Sequence, residues 1–82
     1  MKEDIKKFID TLMTNLYLDD ADENTITYIT RENGDVGREK ASRIDIEDAR
    51  QIQHEVIVTF KDKVKTEVEI IDEWVHLTIE IL

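Results

Sequence analysis

Acidic residues dominate the stretches of this chain whose spacing resembles a chemical site. In Asp19-Asp20-Ala21-Asp22-Glu23-Asn24, the residues Asp20, Asp22 and Asn24 take the first, third and fifth places of an EF-hand-like loop, where oxygen ligands gather calcium. The sixth place, which needs Gly for a sharp turn, holds Thr25, and the twelfth, which needs a bidentate Glu, holds Arg31. The following segment also reads as strand where an EF-hand needs a helix, so calcium binding is not expected.

Glu73-Trp74-Val75-His76 has the E-x-x-H spacing of di-iron bundles, but those need two such pairs on helices and two more Glu residues. With two His and no Cys, a closed zinc site lacks strong ligands. Ser42 is the only serine and has no nucleophile motif around it, and Gly34 and Gly37 do not form a phosphate loop. Adjacent carboxylates are abundant, yet a general acid needs a desolvated pocket to raise its pKa, and nothing in the sequence marks one. The expectation is a non-enzyme without cofactor or metal.

The elements that hold these residues follow from periodicity. Ile5, Phe8, Ile9, Leu12, Met13, Leu16 and Tyr17 fall on one helical face, which predicts an amphipathic helix from Lys2 to Leu18. Asp19 to Asn24 then connects it to a β-branched strand, Thr25 to Thr30, which ends at the turn-forming pair Asn33-Gly34. A second hairpin strand from Asp35 to about Ser42 is weakened by Gly37. Ile44 to Ile52 suits a short helix, with an extended Arg43–Ile46 segment as the alternative.

Three strands in a meander are expected at the C-terminal end: His54 to Phe60, Val64 to Ile71 and Trp74 to Leu82. Each has one apolar parity, suited to cover by the first helix, and one mixed parity that includes Ile57, Ile71 and Trp74. Lys61, Lys63 and Lys65 are expected on one strand face near a turn. The predicted fold is α+β: an N-terminal amphipathic helix, with a short second helix, packed on one face of an antiparallel sheet that includes the meander.

Eighty-two residues make one small domain, and the absence of Cys leaves it to packing or to a second subunit. No apolar segment is long enough for a membrane span, and Glu3, Asp4 and Asp10 interrupt any signal peptide, so a cytoplasmic protein is expected. Twenty Asp and Glu against eleven Lys and Arg give a net charge of -9, which disfavours direct binding to nucleic acid or anionic membranes and favours basic partners. Acidity also serves solubility alone in many small proteins.

The acids are spread through the chain in clusters: Asp19, Asp20, Asp22 and Glu23; Glu32 and Asp35; Asp45, Glu47 and Asp48; and Asp72 and Glu73. Glu67 and Glu69 would add a pair on one strand face about 6.6 Å apart, close to the spacing of successive phosphates. In size and charge the chain resembles small acidic DNA mimics, many of them phage-encoded inhibitors of host DNA-binding proteins. That resemblance is one of class, without a shared residue motif. It implies a basic DNA-binding partner, for example a nucleoid-associated protein of the HU type that reads backbone and shape. Asp19, Asp20, Asp22, Glu23, Glu32, Asp35, Asp45, Glu47, Asp48, Glu67 and Glu69 are the candidate contact residues. The competing expectation is a homodimer formed through the apolar residues of the exposed sheet face.

Overall fold

The computed structural model describes residues 1–12, 16–29, 43–72 and 74–82. Within them the order is α1 (Lys2–Thr11), β1 (Tyr17–Ala21), β2 (Thr25–Ile29), α2 (Arg43–Phe60), a short 3-10 turn (Lys61–Lys63), β3 (Val64–Ile71) and β4 (Trp74–Ile81). The strands form one antiparallel sheet in the order β1-β2-β4-β3. The fold is α+β, with helices covering one side of the sheet.

Helix followed by hairpin occurs twice, as α1-β1-β2 and as α2-β3-β4. The second strand of each hairpin lies at the centre, where β2 pairs with β4. Both β2 and β3 run antiparallel to β4, so they run parallel to each other. Parallel strands need a long crossover, and α2 supplies its helix.

Lengths explain why α2 continues to Phe60. Its 18 residues rise about 27 Å. The eight residues of β3 or β4 extend roughly the same distance. One unbroken helix therefore spans the sheet along its strands. The expected strand from His54 to Phe60 is instead the second half of this helix, so the C-terminal part is a β3–β4 hairpin beside β2 and no three-strand meander forms. Alternation at Val56, Val58 and Phe60 was a misleading signal. The stripe that governs packing is Ile46, Ala49, Ile52, Val56 and Phe60, at helical spacing, with Ala49, Ile52 and Val56 buried and Val58 54 % exposed.

The core lies between the helices and one sheet face. Ile5 and Ile9 of α1, Ile52 and Val56 of α2, and Ile26, Tyr28, Val64, Leu77 and Ile79 of the sheet are buried together. Cross-strand pairing aligns Ile26 with Ile79 and Tyr28 with Leu77, so the apolar parities of the central strands reinforce one another. Phe8 and Phe60 meet edge to face with centroids 5.6 Å apart, which ties α1 to the end of α2. The Gln53 side-chain amide donates to Thr66 Oγ1 at 3.0 Å and fixes α2 over the edge strand β3. Lys61, at φ 50°, turns the chain out of α2 in a left-handed conformation that most residues resist.

The first helix is shorter than its periodicity suggested. It ends at Thr11, and Tyr17 and Leu18 belong to β1. The stretch Asp19 to Asn24 is consequently not a helix-to-strand connector. Asp19, Asp20 and Ala21 complete β1, and residues 22–24 turn into β2, with the Asp22 amide donating to the Thr25 carbonyl at 2.7 Å. A β-bulge between Leu18 and Asp20 shifts the register of this edge strand. The expected Asn33-Gly34 turn and the strand from Asp35 to Ser42 lie outside the described residues.

Candidate functional site

Among the described residues, no helix covers the second face of the sheet. Alternation along the strands decides what stands there. Pairing places Tyr17, Ile29, His76 and Glu69 in one row across β1, β2, β4 and β3. The next row is Asp20, Thr27, Thr78 and Glu67, followed by Thr25, Glu80 and Lys65. Trp74 and Ile71 pair beside the β3–β4 turn. The face thus has acids on both edge strands with none between them in the first two rows, while the third row carries Glu80 on central β4 beside Lys65.

This arrangement divides the acidic residues expected from the sequence. Asp19 and Asp20 on β1 are exposed, as are Glu67 and Glu69 on β3. The two edges lie three strand spacings apart, on the order of 14 Å. Asp22 and Glu23 occupy the exposed β1–β2 turn, where the Asp22 carbonyl accepts from Lys2 Nζ at 3.1 Å. Asp45, Glu47 and Asp48 lie near the start of α2, in the helical layer behind the sheet. They do not join the face that carries Glu67 and Glu69. Glu32 and Asp35 lie outside the described residues.

Two other expectations change with the helix. Lys61 and Lys63 belong to the 3-10 turn, leaving Lys65 as the only one of the three on a strand. Ile57 is on α2 and shares no face with Ile71 and Trp74, which removes it from the proposed dimer surface.

Local electrostatics distinguish the acids further. Asp20 is partly occupied, because its Oδ1 accepts the Ala21 amide at 2.9 Å beside the bulge. Glu67 holds its proton above the usual carboxylate range, chiefly through a hydrogen bond with the Glu69 carboxyl and repulsion from its charge, while Lys65 opposes the shift. Two carboxyl groups are held close on an exposed strand with incomplete local compensation. Such a pair gains when an outside cation approaches.

Next to the row of Glu69 and His76, toward the β3–β4 turn, Asp19, Ile29, Ile71, Asp72, Trp74 and His76 line a cavity of about 370 Å³. All four strands contribute to it, together with the β3–β4 turn. Asp72 sits there at φ 51°, a left-handed conformation that Asp tolerates better than most residues. In the sequence Asp72 falls between the strands Val64 to Ile71 and Trp74 to Leu82, and Trp74 and His76 share one parity, but no local spacing brings them together with Asp19. Their juxtaposition depends on β1 reaching the same sheet, and YLDDA carries little strand signal.

Among the described residues, no group of three or more His, Asp or Glu is arranged to hold a metal ion. No helix among them is long and apolar enough to cross a membrane. No protein-family model, curated protein or solved structure matches the chain.

Proposed function

We propose that the chain is a small acidic binding protein, without enzymatic activity, that engages a basic DNA-binding protein through the sheet face that no described helix covers. The observation that carries this reading is the double acidic margin: Asp19 and Asp20 on one edge strand, Glu67 and Glu69 on the other. Their separation, on the order of 14 Å, is comparable to the roughly 12 Å width of a DNA major groove bounded by phosphates. On β3 the acids recur at every second residue, and on β1 Asp19 and Asp20 adjoin at the bulge. A basic surface that grips two phosphate backbones would meet a similar pattern of negative charge.

The chemistry is ion pairing and release of counterions, with no bond made or broken. Rigid strands reduce the entropic cost of presenting several carboxylates at once. The net charge of -9 adds long-range attraction for a basic surface.

Affinity capture from a bacterial lysate at low salt, followed by elution with duplex DNA, tests the proposal. A basic DNA-binding protein should elute, its affinity should fall steeply as salt rises, and Glu67→Gln with Glu69→Gln should weaken it. Binding indifferent to salt, DNA and both substitutions would overturn the reading. Recovery of the chain alone as a dimer, with its face buried between copies, would instead favour assembly.

A further inference from the structure

We propose that the cavity beside the β3–β4 turn is a receptor for one arginine side chain of the basic partner. This inference rests on the preceding functional reading for the source of the arginine, but its chemistry can be tested alone. The cavity carries Asp19 at one side and Asp72 at another, with no Lys or Arg among the described residues that line it. No cation among the described residues pairs with either carboxylate. An anionic ligand would meet repulsion there, whereas a guanidinium would meet two counter-charges.

The remaining walls fit the rest of an arginine. Trp74 provides the aromatic type that attracts cations most strongly, and planar guanidinium stacks on such a ring better than ammonium does. Ile71, which is exposed, provides apolar surface for the methylene stem, with the buried Ile29 beneath it. His76 adds a ring nitrogen able to accept a hydrogen bond from an N–H donor. At about 370 Å³, the space has room for an arginine side chain. Charge complementarity therefore selects the occupant, and the apolar and aromatic walls select arginine over a hydrated metal ion.

The chain has one Trp, so Trp74 fluorescence reports on this cavity without a label. The probes are N-acetylarginine amide, its neutral urea analogue N-acetylcitrulline amide, and N-acetyllysine amide with a free side-chain amine, each titrated into the full chain. The expected result is a saturable change with the arginine probe, at least tenfold weaker binding of the citrulline probe, and intermediate binding of the lysine probe. The double substitution Asp19→Asn with Asp72→Asn should weaken the arginine probe at least fivefold while leaving the circular dichroism spectrum intact, since Asn also tolerates the backbone at residue 72.

Equal binding of arginine and citrulline probes, lysine binding as tight as arginine, or full affinity in the double variant would overturn the assignment. The two proposals fail separately. Probe binding without capture of any basic protein sinks the acidic-face reading and leaves the cavity's chemistry standing. DNA-competed capture without probe binding does the reverse.

Discussion

Glu67 and Glu69 lie two residues apart on β3, on the face that no described helix covers, and the Glu69 carboxyl raises the proton affinity of the Glu67 carboxyl. A strand repeats its facing every second residue, so this proximity follows from local geometry once β3 forms. Its cost is electrostatic: at pH values where both groups are ionised, the folded strand holds like charges closer than an unfolded chain does. The same pair presents a concentrated negative site to an incoming cation.

Glu67→Gln should consequently raise the melting temperature near neutral pH while weakening attachment to a basic partner. Glu67 has its folded pKa raised, so with rising pH the unfolded chain releases this proton first, and stability is lost across the window above the ordinary carboxylate range. The stabilising effect of the substitution should shrink on descending to about pH 3, where unfolded carboxyl groups are mostly protonated. Thermal melts at the two pH values check the first part, and salt-dependent binding checks the second. A lower melting temperature at neutral pH would mean that the hydrogen bond outweighs the repulsion.

Tyr28 gives the fold an alkaline limit. Burial, with the carboxylates of Asp10 and Glu3 adding to it, pushes its phenol up to about 12. The unfolded phenol ionises near pH 10, so its contribution to stability is complete below about pH 10 and declines as pH rises toward the folded value. Urea unfolding from about pH 9 to about pH 11 should show a smaller alkaline loss for Tyr28→Phe than for the parent chain. Identical pH slopes would remove Tyr28 from this effect.

Substitutions along α2 distinguish helix from strand. Val56 is fully buried, whereas Val58 is 54 % exposed, so Val56→Ala should cost about 2 kcal/mol and Val58→Ala less than about 0.5 kcal/mol. In a strand with Val56, Val58 and Phe60 facing inward, the two costs would match. Leu77→Ala, at a buried position on a central strand, should cost about 2–5 kcal/mol and supplies the reference for full burial. Chemical denaturation of the three variants measures the differences.

Residues that decide their own local structure were legible. Ile5 and Ile9 lie on the apolar stripe of α1 and are buried as their spacing requires. Val75, Leu77 and Ile79 alternate inward as their parity requires, and Ile26 and Tyr28 lie inward on the strand that Thr25 opens. Residues 54–60 were misread because Val56, Ile57, Val58 and Thr59 are β-branched and satisfy a strand pattern locally. The competing stripe from Ile46 to Phe60 wins because it buries Ala49, Ile52 and Val56 against the sheet along one continuous helix.

The sequence alone determined the α+β class, the first helix's buried face, the β3–β4 hairpin and the excess of acid, because periodicity and charge are properties of neighbouring residues. Tertiary structure decided that β1 exists, that α2 runs to Phe60, and which acids share a surface. Edge strand β1 has little strand propensity of its own, and pairing with β2 supplies the backbone partners that stabilise it. That pairing brings Asp19 to Asp72 and Trp74 and sets Asp20 opposite the margin of Glu67 and Glu69, whereas Asp45, Glu47 and Asp48 go to the other layer. Sheet order is fixed by contacts between distant segments, and no local spacing in the chain encodes it.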